Sequence, residues 1–261
     1  MITVYTNGEQ FLKENSSYLG ENRYMSVFFY LDAPLINETN NINYMLKASN
    51  GDKKLLAIKL EPFNLILYGN KDCLGELLSF INENEYELPG VICPEEIGNE
   101  LLRLDHRFIK QIGMDFMETS EFTEESSLEV EYATENDIDE LYECEINFIK
   151  DCGLSDKPKK ENIIKKIPAT RIIRKDGKIV AMCASSPDTD KSIRISFVYT
   201  RPEYRGQGLA RKVVNYLKNE ILNQGKIATL NVDQANPISN HLYKSLGFKK
   251  VFSQGIYFLK K

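Results

Sequence analysis

The stretch Ile195-Ser196-Phe197-Val198-Tyr199-Thr200-Arg201-Pro202-Glu203-Tyr204-Arg205-Gly206-Gln207-Gly208-Leu209-Ala210 constrains this chain more than any other. A strand ends there and a glycine-rich loop runs straight into Leu209 to Leu222. In that helix Leu209, Val213, Val214, Leu217 and Ile221 share one face, and Gly225 closes it. Pro202 ends strand pairing, and Gly206 and Gly208 remove side chains so that backbone amides can approach a ligand. The helix start leaves amides without intrahelical acceptors at the positive end of the dipole, which suits a pyrophosphate. Arg205 and Arg211 can add charge for a phosphate. Taken alone, the two glycines would equally fit a tight turn before a helix.

The surrounding pattern predicts a mixed α+β domain. Leu128 to Ala133 alternates at period two, and Thr134 to Asp137 reads as a helix cap ahead of Ile138, Leu141, Tyr142 and Cys144. Arg171 to Arg174, Lys178 to Ser185 and Ser192 to Thr200 are strands separated by the turn Asp176-Gly177 and the loop Pro187-Asp188-Thr189-Asp190, which predicts an antiparallel meander. Ile227 to Val232 is a buried strand, Pro237 to Leu246 a helix ended by Gly247, and Val251 to Leu259 a last strand.

The polar, acidic run Thr119 to Ser127 lacks periodicity, so a boundary is expected there, with domains at 1–125 and 126–261. The first domain has Tyr24 to Leu31, Lys54 to Leu60 and Phe63 to Tyr68 as predicted strands, the latter two joined through Glu61-Pro62. Helices are expected near Asp72 to Asn84 and Pro94 to Ile109. No chemical motif stands out in that domain.

With 261 residues, 42% of them hydrophobic, the chain can fill two ordinary cores. No apolar stretch approaches the roughly 20 residues that cross a bilayer, and Met1 to Ser17 does not read as a signal peptide, so a soluble, cytoplasmic protein is expected. Cys73, Cys93, Cys144, Cys152 and Cys183 are odd in number and widely spaced, with only His106 and His241 as co-ligands; no metal site is expected, and all five read as structural. Residues 1–125 hold 10 Lys+Arg against 21 Asp+Glu, and residues 126–261 hold 23 against 17, so the halves carry minus 11 and plus 6. The basic half suits a small polyanion, and neither half has the arginine-rich or aromatic-basic pattern of a nucleic-acid binder.

Arg205-x-x-Gly208-x-Ala210 resembles the Arg/Gln-x-x-Gly-x-Gly/Ala signature of the GNAT superfamily of N-acetyltransferases, and Leu242-Tyr243-x-x-x-Gly247-Phe248 looks like that family's second cofactor segment. The resemblance covers Leu128 to the C-terminus. It implies the GNAT fold, a mostly antiparallel mixed sheet flanked by helices, and acetyl-CoA as acyl donor to a primary amine by direct attack in a ternary complex. It places pantetheine along Phe197, Val198 and Tyr199, and pyrophosphate on Arg205, Gly206, Gln207, Gly208, Leu209 and Ala210. Asn236 and Asn240 then face the same groove, and Tyr243 protonates the departing thiolate. A phenol with a pKa of about 10 is a sensible donor to that thiolate, although a core tyrosine packing on the last strand fits the position too. The backbone N–H of Val198 or a neighbour would face the thioester oxygen.

Glu143, Glu145, Glu203, Asp233 and His241 are candidate bases, none singled out. The lysines at 150, 157, 159, 160, 165 and 166 lie where the family's acceptor loop runs. The first domain lacks the loop but its element order resembles a degenerate copy of the same fold, and its negative charge is expected to favour a cationic, small-molecule amine acceptor. A monomer or homodimer is expected. The competing reading is a non-catalytic acyl-CoA-binding sensor.

Overall fold

The computed structural model describes residues 1–36, 38–124, 128–153 and 158–260. The expected domain boundary at 125/126 and Lys157 lie outside them. By packing, the chain divides into a first unit (residues 1–115, 233–235 and 252–261) and a second (116–232 and 236–251). Among the described residues no helix is long and apolar enough to cross a membrane.

The chain runs through β1 (Ile2–Tyr5), α1 (Gly8–Leu19), α2 (Arg23–Asp32), β2 (Tyr44–Asn50), β3 (Lys53–Lys59), β4 (Leu65–Gly69), α3 (Leu74–Glu83), β5 (Gly90–Pro94), α4 (Glu95–Leu104) and β6 (Phe108–Thr119). It continues through β7 (Val130–Tyr132), α5 (Ile138–Asp151), α6 (Lys160–Lys166), β8 (Thr170–Lys175), β9 (Lys178–Pro187), β10 (Ser192–Thr200), α7 (Leu209–Asn223), β11 (Ile227–Asp233), α8 (Pro237–Ser245) and β12 (Lys249–Leu259).

In the first unit the strand order is β1-β2-β3-β4-β5-β12, antiparallel except for the parallel pair β4 and β5. The central strands are apolar at nearly every position because helices cover both faces. Tyr44, Leu46, Leu55, Ala57, Leu65 and Leu67 pack with Leu74 and Leu77 of α3 and Ile97 and Leu101 of α4. Their sequence neighbours Met45, Leu56, Ile58, Ile66 and Tyr68 face the other way, onto Phe11, Leu19, Met25 and Phe29 of α1 and α2. Each large apolar side chain so buried contributes about 1.5–3 kcal/mol.

Tyr24 to Leu31, expected as a strand, is helical instead. A short apolar run does not by itself distinguish the two. Here the Asn22 side chain accepts from the amides of Tyr24 and Met25, nucleating a helix, and Met25, Phe29 and Ala33 then fall at four-residue intervals on the core. The segment Phe108 to Thr119 is strand up to the start of the polar run, and the helix expected near Pro94 to Ile109 ends earlier, at Leu104. The β3–β4 connection through Glu61-Pro62 is as expected, and that peptide is cis.

The second unit has the order β11-β10-β9-β8-β7, with the β8–β9–β10 meander antiparallel and β10–β11 parallel. Helix α7 covers one face through Leu209, Val213, Val214, Leu217 and Ile221, and α5 and α6 cover the other through Leu141, Cys144 and Ile163. The expected cap before α5 is present as a capping box between Thr134 and Asp137.

One contact in the first unit sets a test. A Cβ at Gly98 of α4 would lie 1.9 Å from the Tyr257 hydroxyl and 2.0 Å from its Cζ, and Tyr257 is fully buried. A helical glycine-to-alanine change ordinarily stabilises by about 0.5–1 kcal/mol, whereas overpacking a core costs about 1–3 kcal/mol. Overpacking should win, so Gly98→Ala is expected to lower the melting temperature; a rise would mean that the Tyr257 ring yields.

Candidate functional site

The parallel pairing of β10 with β11 runs from Ser192↔Ile227 to Ile195↔Leu230. Beyond that point β10 continues to Thr200 and β11 to Asp233, and no further register joins them. The cause lies on the other edge of β10. Its pairing with β9 jumps from Ser196↔Ala184 to Tyr199↔Met182, so one extra residue is accommodated as a bulge. Phe197 sits in that bulge with φ of 52°, a left-handed conformation that costs a bulky L-residue about 1–2 kcal/mol.

Side chains of the helical layer hold it there. The Phe197 ring lies 5.4 Å from that of Phe148 on α5, and the Lys166 ammonium of α6 stands 3.8 Å from its centre. Lys166 in turn donates to Glu145 at 2.7 Å. Glu145 is therefore an ion-pair partner, and Lys166 is fixed over the bulge rather than on a solvated face. Tyr199 points into the core beside Leu141 and Cys144, and burial raises its phenol. Phe197 and Val198 are half-buried.

Past β10, Arg201 clamps the start of the loop. Its Nε donates to the Ile179 carbonyl at 2.7 Å and its guanidinium reaches Glu143 at 3.1 Å and Glu140 at 3.2 Å. Hydrogen bonds from Arg201 hold the Glu143 carboxyl below the usual carboxylate range, which makes it a poorer proton acceptor. Gly206 and Gly208 adopt φ of 76° and 74°, and a Cβ at either would meet nothing within 4 Å. Both glycines thus serve backbone shape, and the space above them is open. Gly208 caps α7 without a side chain, and the first bond back to it comes from Lys212 at 3.1 Å, so the opening amides of α7 have no acceptor within the helix.

The cations around this loop are positioned. Arg205 donates through Nε to the Thr200 carbonyl at 3.0 Å and pairs with Asp151. Arg211 donates to the Ser245 hydroxyl at 2.5 Å, linking α7 to α8. Lys175, at the end of β8, donates to the Gln207 side chain at 2.7 Å; the sequence reading missed it because its approach depends on the β8–β9 hairpin.

Asn236 is the N-cap of α8, accepting from the Ser239 amide at 3.0 Å, and Asn240 bonds back to the Asn236 carbonyl at 2.9 Å. Tyr243 is 7% exposed, packed with Cys183, Val213 and Phe248, and its burial pushes the phenol well above its ordinary value. The candidate bases Glu203, Asp233 and His241 are exposed. Cys73, Cys93, Cys144 and Cys183 are buried with raised thiols, while Cys152 is exposed.

Residues 128–248 match the family described as "Acetyltransferase (GNAT) family". No curated protein matches the sequence. Among solved structures the chain is similar to an acetyltransferase from the GNAT family of Colwellia psychrerythraea, with 12% identity, a TM-score of 0.68 and 100% of each chain covered. A GCN5-related N-acetyltransferase from Sphaerobacter thermophilus has 15% identity and a TM-score of 0.59, covering 82% of this chain and 79% of that one. One from Kribbella flavida has 16% identity and a TM-score of 0.52, over 82% and 89%. At these identities the likeness is one of fold.

The bulge makes its own prediction. In an ordinary strand glycine is about 0.5–1 kcal/mol worse than alanine, but at a left-handed position it is better by about 1 kcal/mol. Phe197→Gly should therefore melt above Phe197→Ala, with both below the parent; the reverse order in thermal unfolding would remove the strain from the account.

Proposed function

From the premise that residues 128–248 are an acetyltransferase domain of the GNAT family, we propose that the protein moves an acetyl group from acetyl-CoA to the primary amine of a small molecule by direct attack in a ternary complex. The observation that carries this reading is the opening between β10 and β11, which leads into the loop where Gly206 and Gly208 leave open space at the start of α7. That cradle fits a diphosphate. The opening amides of α7 have no acceptor within the helix and form its positive dipole end, and Arg205, Arg211 and Lys175 stand on elements around it.

Residues Phe197 to Tyr199 offer the unpaired edge of β10 to an extended chain such as pantetheine, in the manner of strand addition. The amides at the bulge, with Val198 the favoured one, are released from the ladder and so free to face a carbonyl oxygen that gains charge. In the transfer the amine nitrogen bonds to the acetyl carbon, the carbon–sulfur bond breaks, and the sulfur takes a proton from the Tyr243 hydroxyl. Burial raises the pKa of that phenol, which keeps it protonated before the step and also makes it a weaker donor to the thiolate than an ordinary phenol. Glu143 and Glu145 are held by Arg201 and Lys166, so the amine proton passes to solvent water, which returns a proton to the Tyr243 phenolate. Asn236 and Asn240 shape the opposite wall by fixing the start of α8.

A second reading, a non-catalytic acyl-CoA sensor, is favoured by the packing of Tyr243 within the core. Release of free thiol from acetyl-CoA across a panel of amine acceptors separates the two: amine-dependent release supports transfer, and saturable binding without release supports the sensor.

Two variants test the assigned parts. Gly208→Val places a β-branched residue at a left-handed position and fills the cradle, so the Kd for coenzyme A should rise roughly tenfold or more by calorimetry while the fold persists. Undiminished affinity would remove the loop from the reading. Tyr243→Phe should lower kcat by roughly a hundredfold with KM for acetyl-CoA little changed; full turnover would return Tyr243 to a packing role.

A further inference from the structure

The first unit has a cavity of about 400 Å³ at the carboxyl ends of its own parallel strands, lined among others by Tyr18, Glu21, Tyr68, Lys71, Glu96 and Phe252. The pair β4 and β5 is in register at Leu65↔Val91 and Ile66↔Ile92, and the cavity opens where β4 ends at Tyr68-Gly69 and β5 at Pro94. The carboxyl ends of parallel strands are where open α/β sheets receive ligands. Gly69, at φ of 138°, lets the end of β4 approach β3 closely, since a Cβ there would meet the Lys54 carbonyl at 2.3 Å.

Tyr68 is the second observation. It is 9% exposed and lines the cavity, yet among the described residues its hydroxyl has no hydrogen-bond partner. That hydroxyl is presented to the cavity and is available to a group that enters it. Its neighbour Tyr18, with ring centres 5.4 Å apart, has already committed its hydroxyl to the Lys54 carbonyl at 3.1 Å. The two rings therefore form a wall in which the Tyr68 hydroxyl alone is uncommitted.

Charge decides what that oxygen meets. Asp72 is paired with Lys53, and Lys71 is the one cation among the lining residues. Glu21 and Glu96 are exposed at the rim, and neither carboxylate has an ion pair or hydrogen bond among the described residues. Both act on Tyr68, whose phenol is raised first by burial and then by these two charges. A phosphate would meet this negative surplus. A cation would relieve it.

We propose that this cavity binds an organic ammonium ion. The ammonium donates to the Tyr68 hydroxyl oxygen and to the Glu21 and Glu96 carboxylates, and its alkyl part lies along the rings of Tyr18 and Phe252. The site is separate from the acyl-donor loop, and it stands whether or not the second unit transfers acetyl groups.

Calorimetry on the full chain tests this without any acyl donor, using butane-1,4-diammonium, the neutral butane-1,4-diol and inorganic phosphate. The diammonium should bind saturably and lose affinity as salt rises, with no heat from the diol or phosphate. The double variant Glu21→Gln/Glu96→Gln should weaken binding roughly five- to tenfold and Tyr68→Phe roughly threefold, with coenzyme A affinity unchanged in both. Glu21 and Glu96 are exposed, so an unaltered melting temperature confirms that the double variant is folded. Absence of saturation, equal binding by the double variant, or preference for phosphate would each overturn the proposal.

Discussion

The extra residue in β10 is the constraint on which the second unit's architecture depends. Parallel neighbours in a sheet bond to each other along their full length unless something forces them apart. Here the bulge at Phe197 does so, turning the strand after Ile195 and ending the pairing of β10 with β11. Its conformation is unfavourable for phenylalanine, so it persists only because Phe148 and the Lys166–Glu145 pair over-determine the ring. The lysine-rich helix thereby belongs to the mechanical support of the opening, with at least one ammonium on an aromatic face.

The loop that follows is held at both ends and left open in the middle. Arg201 ties its start to β9 and α5, and Arg211 ties the first turn of α7 to α8. Between them the two left-handed glycines curve the chain, and the space beside their Cα atoms is open. Rigid flanks around an exposed backbone reduce the cost of ordering that segment, which is the physical content of pre-organisation.

The two units use one local motif, a parallel strand pair joined by a helix, to different electrostatic ends. In the second, β10–α7–β11 leads to a glycine loop with arginines and a lysine around it. In the first, β4–α3–β5 leads to tyrosines and uncompensated carboxylates. The same backbone arrangement thus carries side chains of opposite charge in the two units.

Where local chemistry decides structure, the sequence was sufficient. The meander, the cap at Thr134, the strand–loop–helix at 195–222 and the glycine positions were legible because turn residues and periodicity act over a few neighbours. Helix α2 was not, because its apolar run suits either state until Asn22 and the facing core choose. The bulge, the engagement of Glu143 and Glu145 by cations, the arrival of Lys175 at Gln207 and the burial of Tyr243 all join residues distant in sequence. The unpartnered hydroxyl of Tyr68 is likewise invisible in a string of letters. Local order is encoded by short-range sterics and hydrogen bonding, while burial, pairing and charge balance exist only once the layers have packed.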